Sequence, residues 1–424
     1  MLATRASSRN VQRLARSFAT VVDSAGVKVA AVDSNQPTSS VTLLVKAGSR
    51  FEPKAGVAHG LKNFAFKSTG KRSALGTVRE SELYGGVLSA NLSREYLALT
   101  AEFLRGDEEH FVDVLTSFIT SPRFTRHEFQ EYVSPVLESE IEVSTSNPAI
   151  QALELAHALA FRQGLGSSLF AAPHHHLTAE DIRNFAKSIF TQGNLAVVGT
   201  GIDQGTLSKL VQQSLSGVPA SSAASSPASS YFGGETRLQS HGGPQTVFVG
   251  YGATGAPLAE LAALSAHVSP AASVKWSQGL SPIASAITPG TTVQSVYLPY
   301  SDATLFGFLV QGQDGASVKA AGKVTVDALK AASSGLKGDD LKKAVAKAKF
   351  AAASAAESRD GLVATLGAKV LAGSESSLAS ALSAFDKVSE SAVAKAASSL
   401  VGAKPTYVAI GDIAILPYAD ELGL

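Results

Sequence analysis

The chain has 424 residues, 45% of them hydrophobic and only 17% charged, a balance that excludes a disordered chain and exceeds what one compact core holds. Lysines and arginines number 36 against 35 aspartates and glutamates, so no excess of positive charge points to a nucleic-acid partner. The absence of cysteine excludes disulfides, a cysteine nucleophile and thiolate-held zinc or iron–sulfur centres. No apolar run reaches the roughly 18 residues of a bilayer-spanning helix.

Residues 1–18 read as an address. Arg5, Arg9, Arg13 and Arg16 share one helical stripe, Leu2, Val11, Leu14, Ala15 and Phe18 supply apolar surface, and no acid occurs before Asp23. A basic, amphipathic, acid-poor segment is the pattern of a mitochondrial presequence, and Arg16-Ser17-Phe18 resembles a matrix-protease cleavage site. A secretory signal would need roughly 7–15 continuous apolar residues, which the arginines interrupt.

Beyond it, residues 28–51 carry two β-rich runs around the turn-forming Asp33-Ser34-Asn35-Gln36-Pro37, which predicts a hairpin. A short helix is expected at about 57–67, then strand-like segments over 77–104 broken by Gly85-Gly86. Helices are expected over about 107–121, 126–145, 148–162 and 178–190, before the apolar strand Leu195-Ala196-Val197-Val198-Gly199. The end of the chain repeats that step, with a helical 389–405 running into Thr406-Tyr407-Val408-Ala409-Ile410-Gly411. Residues 93–104 and 301–312 likewise each read as a strand followed by a helix. Between the halves lies a serine-, alanine- and proline-rich stretch, too small and polar to pack, which reads as a linker. The expected fold class is α+β: two homologous domains, each a mixed or antiparallel sheet packed with helices, over residues 19–215 and 235–424, with the linker at 216–234.

The chemistry-bearing stretch is Gly56-Val57-Ala58-His59-Gly60-Leu61-Lys62-Asn63-Phe64. It resembles the zinc helix of the pitrilysin and mitochondrial processing peptidase family, whose motif is His-x-x-Glu-His. There, two histidines one helical turn apart bind zinc and the glutamate between them activates water. Here His59 is retained, Lys62 stands at the general base and Asn63 at the second histidine. An amide oxygen is a poor exchange for imidazole. An ammonium about 4 Å from a dication costs on the order of 8 kcal/mol at an effective dielectric near 20. The family's distal glutamate, roughly 76 residues past the second histidine, would fall at Ser139, which leaves Glu138 and Glu140 as candidates. Phe66-Lys67-Ser68-Thr69, Gly85-Gly86 and Ala90-Asn91-Leu92-Ser93-Arg94-Glu95 follow in the family's order.

The resemblance thus implies a processing-peptidase-like fold with a dead metal site: no catalytic residue, no bound metal and no cofactor. Tyr300-Ser301-Asp302-Ala303-Thr304-Leu305-Phe306-Gly307-Phe308 is similar to the noncatalytic family members built into the respiratory ubiquinol–cytochrome c reductase complex (complex III). That branch implies a structural role in assembly, a place on the matrix side of the mitochondrial inner membrane, and core protein 1, cytochrome b and cytochrome c1 as partners in a dimeric complex. The alternative from the same family is a zinc-dependent presequence peptidase or its substrate-binding subunit. Against the second form, the stretch His267–Trp276 lacks that subunit's glycine-rich loop.

Other candidates carry less. His174-His175-His176 precedes a capping signal at Thr178 and reads as a loop. The pairs Gly233-Gly234 and Gly242-Gly243, with Gly250 and Gly252, match no phosphate-binding pattern. Asp339-Asp340 followed by Lys342-Lys343 reads as an exposed helix start.

Overall fold

The computed structural model describes residues 21–424 except 25, 34, 175, 273–278, 280, 337 and 373–377. The expected presequence, residues 1–18, lies outside them. The chain divides into two compact units, each assembled from three stretches: residues 1–141, 169–226 and 355–381 in the first, and 142–168, 227–354 and 382–424 in the second.

The first unit is built on β1 (Val22–Ser24), β2 (Val27–Val32), β3 (Thr38–Val45), β4 (Val87–Leu92), β5 (Leu97–Leu104) and β6 (Leu195–Thr200). They lie in the order β1-β2-β6-β3-β5-β4, with β2 and β6 parallel and the other neighbours antiparallel. The second unit is built on β7 (Gly234–Gln239), β8 (Gln245–Thr254), β9 (Thr292–Pro299), β10 (Ala303–Gly312) and β11 (Thr406–Gly411). Their order is β7-β11-β8-β10-β9, and here only β7 and β11 run parallel. Apart from β1, the two sheets are one topology used twice.

Two expectations are corrected. Residues 28–51 form no hairpin, because β6 lies between β2 and β3. Both strands are buried along almost their whole length, so each needs a neighbour on both edges. The strand Leu195–Thr200 meets that need by pairing with both. Residues 77–83 belong to a helix, α2 (Ala74–Leu83), not a strand. Ser73 caps it by accepting from the Gly76 N–H at 3.0 Å, which supplies a partner for one of the free donors of its first turn.

The remaining helices of the first half are α1 (Val57–Asn63), α3 (Glu108–Thr120), α4 (Ser134–Ser146), α5 (Pro148–Phe161), α6 (Ala179–Ile189) and α7 (Gln204–Leu215). A short turn Arg126–Glu128 and a π-helical turn Phe129–Val133 lead into α4. The second half carries α8 (Ala259–Val268), α9 (Gly315–Ser333), α10 (Asp339–Ala355), α11 (Arg359–Ala372), α12 (Leu378–Ala384) and α13 (Glu390–Val401). Among the described residues, no helix is long and apolar enough to cross a membrane.

The central strands of each sheet are buried on both faces, and the alternation of their side chains shows it. Val29, Leu43, Leu97, Leu99 and Val197 face a large core shared with α1, α3, α6 and α7. Their neighbours Ala30, Leu44, Ala98, Ala196 and Val198 face Leu362, Val363 and Val370 of α11. In the second unit Val408 and Ile410 pack with Ala152, Ala156 and Phe161 of α5, whereas Tyr407 and Ala409 pack with Val318 and Ala321 of α9. The helix covering the second face of each sheet therefore comes from the opposite half of the sequence. Helix α11 is held at both ends as well as by its apolar side. Arg359 pairs with Glu102 and donates to Thr38 Oγ1, while Lys28 Nζ donates to the Leu371 carbonyl at 2.8 Å.

The serine- and alanine-rich connection is fixed by hydrogen bonds where its side chains cannot pack. Pro219 O accepts from the Gln192 N–H (3.0 Å), the Ala224 N–H donates to Asn194 Oδ1 (2.6 Å), and Arg50 Nε donates to Ser226 Oγ (3.0 Å). Past Pro227, the Ser229 N–H and Oγ donate to Asp302 at 2.9 and 3.0 Å.

Candidate functional site

Helix α1 is short, and its position rests on two glycines. Gly56, at φ 84°, is its N-cap, a conformation that favours glycine; a Cβ there would sit 2.5 Å from the Ala171 Cβ. Gly60 lets α6 approach so closely that a Cβ would meet Ile182 Cδ1 at 2.5 Å. The helix stops at Asn63, short of the expected end, and Phe66 beyond it takes φ 61°. Its first turn is capped by Glu52, whose Oε2 accepts from the Gly56 and Ala58 N–H groups, each at 3.1 Å. Burial pushes the Glu52 carboxyl up to about 7, against the lowering effect of those two bonds.

Within this frame His59, Lys62 and Asn63 converge on one carboxylate of α4. Glu140 Oε2 accepts from His59 Nε2 at 2.5 Å and from Asn63 Nδ2 at 2.9 Å, and Glu140 Oε1 accepts from Lys62 Nζ at 2.5 Å. Of the two candidates left open by the spacing, Glu138 is exposed and its carboxylate accepts from Ser134 Oγ at 3.4 Å; Glu140 meets the motif helix. Burial alone would raise the Glu140 carboxyl, but the three hydrogen bonds and the Lys62 charge overcome it and hold the group down at about 2.

The His59 ring is 2% exposed and its tautomer follows from its partners. The Ala171 N–H donates to Nδ1 at 3.1 Å, so Nδ1 is the acceptor and Nε2 carries the hydrogen given to Glu140. Phe170 packs edge-on against the ring, with centroids 5.6 Å apart. Neither the Ala171 amide nor the Glu52 cap was anticipated from the sequence. An acid four residues ahead of a helix-starting glycine was a legible signal for the second; nothing local announces the first.

The residues present do not fit zinc. A metal needs lone pairs directed at one point. Here an imidazole N–H, an ammonium and an amide NH₂ are directed at a carboxylate, and Lys62 supplies the positive charge that the carboxylate pairs with. Nor does the histidine run gather a second site. His174 is exposed at φ 57°, the His176 carbonyl accepts from Lys54 Nζ at 2.7 Å, and His175 lies outside the described residues. Among the described residues, no group of three or more histidines and carboxylates is placed to hold a metal ion. Of the stretch 267–276, His267 closes α8 and is pushed down by burial, and residues 273–276 lie outside the description.

The remaining motif residues support the frame. Arg50 Nη1 pairs with Glu95 at 2.9 Å, both side chains nearly buried, and Gly48 lies so close to the Arg94 carbonyl that a Cβ would meet it at 2.2 Å. Breaking such a buried pair costs roughly 3–5 kcal/mol.

Fold and pocket together define a protein of the zinc-peptidase type whose metal position is filled by its own donors. Comparison with known families agrees: residues 28–173 match the insulinase (peptidase family M16) model and residues 176–268 the peptidase M16 inactive domain. The chain is 43% identical to the mitochondrial cytochrome b-c1 complex subunit 2 of Cryptococcus neoformans var. grubii, over 99% of this chain and 98% of that protein. It is 40% identical to the Neurospora crassa subunit 2, over 94% and 90% of the two chains, and 36% identical to that of Yarrowia lipolytica, over 98% and 100%. The chain belongs to the M16 family, in the branch of the cytochrome b-c1 complex subunit 2 proteins.

Proposed function

We propose that the chain is core protein 2 of mitochondrial complex III, a noncatalytic structural subunit that supports assembly and stability of the quinol–cytochrome c oxidoreductase. The observation that carries this reading is the Glu140 carboxylate receiving three donors where a peptidase would present ligands. The match over nearly the whole length of subunit 2 relatives supports it. In this reading residues 1–18 are a presequence, the mature chain is peripheral on the matrix side of the inner membrane, and its partners are core protein 1, cytochrome b and cytochrome c1 in a dimeric complex. Quinol oxidation and haem chemistry then belong to other chains, in keeping with the lack of any cysteine.

The test is deletion of the gene followed by native-gel analysis of solubilised inner membranes. Loss of assembled complex III, restored equally by the wild type and by a Lys62→Met variant, is the expected result. An intact and fully active complex in the deletion strain would overturn the proposal. Chelator-sensitive cleavage of a presequence peptide by the pure protein would instead establish the peptidase reading.

A further inference from the structure

Three helices of the first unit end at one surface cavity. It measures about 330 Å³ and is lined by Ile119 and Thr120 at the end of α3, Phe190 immediately after α6, Ser214 near the end of α7, and the turn 217–219 that follows. That volume is at the small end of the range for ligand clefts. A helix carries roughly half a negative charge at its C-terminal end, and three such ends border this one opening. Neither α3 nor α7 has a basic residue in its last turn. Lys187, in the last turn of α6, is exposed and does not line the cavity.

Part of the carbonyl surface is already engaged. Ile189 O accepts from Asn194 Nδ2 at 3.1 Å, Leu215 O from the Val218 N–H at 3.1 Å, and Pro219 O from the Gln192 N–H at 3.0 Å. These donors are neutral, and the last turns of α3 and α7 carry no basic residue, whereas that of α6 carries Lys187. Thr120 and Ser214 bring polar side chains to the lining, and Ile119, Phe190, Val218 and Pro219 its apolar part. Ile119, Phe190 and Val218 are all buried, and the Phe190 ring is held edge-on by Phe118, with centroids 5.6 Å apart. No ionisable side chain is in the lining.

An anion is repelled by this arrangement, and a bare metal ion finds no carboxylate or imidazole in the lining. We propose that the cavity binds a small organic cation, an alkylammonium whose charge faces the helix ends and whose methyl or methylene groups contact Phe190, Ile119 and Val218. The aromatic ring adds a favourable surface for such a charge. This inference is independent of the subunit assignment above.

The experiment compares choline with its neutral isostere, in which carbon replaces the quaternary nitrogen, by saturation-transfer NMR titration against the full chain. Choline should bind at least roughly tenfold more tightly, since the isostere keeps the apolar contacts and loses the charge. Position 217 supplies an internal control. Gly217 has an ordinary φ and nothing within 4 Å of an added Cβ, so a side chain is accommodated there. Gly217→Lys places a tethered ammonium at the mouth and should weaken choline binding by roughly tenfold or more, while Gly217→Gln should leave it unchanged. Equal affinity for choline and the isostere, no binding of either, or a Gly217→Lys variant that binds choline as the wild type does would each overturn the proposal.

Discussion

The carboxylate of Glu140 accepts from an imidazole, an ammonium and an amide, and that set of partners fixes how the pocket responds to acid. An unfolded glutamate titrates near 4.5 and this folded one near 2, so the group stabilises the fold above pH 4.5. That contribution is lost as the pH falls toward 2. It is worth at most about 3 kcal/mol, reduced to about 2 by screening at a carboxylate one-third exposed. Glu140→Gln should therefore cost about 2 kcal/mol in urea denaturation at pH 7, and progressively less below pH 4.5. Glu52 has the opposite sign. Its folded carboxyl is raised to about 7, so stability falls as the pH rises from 4.5 through 7. Glu52→Gln keeps an oxygen to cap α1 and should be about 1–3 kcal/mol more stable than the wild type at pH 8, with no difference at pH 4. The metal geometry can also be tested by restoring its chemistry. Lys62→Glu combined with Asn63→His returns lone pairs beside His59 and Glu140, and should take up one zinc per chain by elemental analysis where the wild type takes none. The motif positions were legible in sequence because a helix fixes which residues share a face. The choice between Glu138 and Glu140 was not, since the distal carboxylate is brought in by tertiary packing and the π-helical turn 129–133 is not written in any local pattern.

At the scale of elements, the strands were easier to locate than to pair. β2 and β3 are close in sequence, joined by good turn residues, and still separated by β6. Burial on both faces decides the matter, and a run such as Val41 to Val45 gives no sign of which strand lies beside it. Residues 77–83 mislead in the other direction, because the alternation suggested by the neighbouring strands loses to the Ser73 cap and the helix-forming Arg79-Glu80-Ser81-Glu82-Leu83. The helices that cross to the other half were visible as helices, but their faces could not be assigned to a sheet. Leu44 is fully buried against α11, where an added Cβ on Gly367 would meet it at 3.0 Å. Leu44→Ala should cost about 2–5 kcal/mol. Its signature would be faster amide hydrogen exchange in α11 than in α3, which packs on the opposite face.

For the whole molecule, the two-fold use of one strand order explains why the sequence reads as a repeat even though its halves share few residues by eye. The duplication was legible in the strand endings at residues 199 and 411; the cross-over of α5 and α11 was not, because no local feature distinguishes a helix that stays from one that crosses. A prediction belongs at this scale. Fragments 1–226 and 227–424, expressed apart, should each be insoluble, because each sheet then keeps one apolar face uncovered. Expressed together they should co-purify through a tag on either one. A soluble, folded 1–226 fragment would show that α11 is dispensable to the first sheet.

The same exchange sets an order of events during synthesis. All six strands of the first sheet have left the ribosome soon after residue 200 is made, but Ala30, Leu44 and Ala196 wait for a helix that begins at residue 359. For that interval the nascent chain carries a finished sheet with a greasy back. Chaperone occupancy during translation or after translocation is therefore expected to persist until the stretch 359–372 arrives, and to end there.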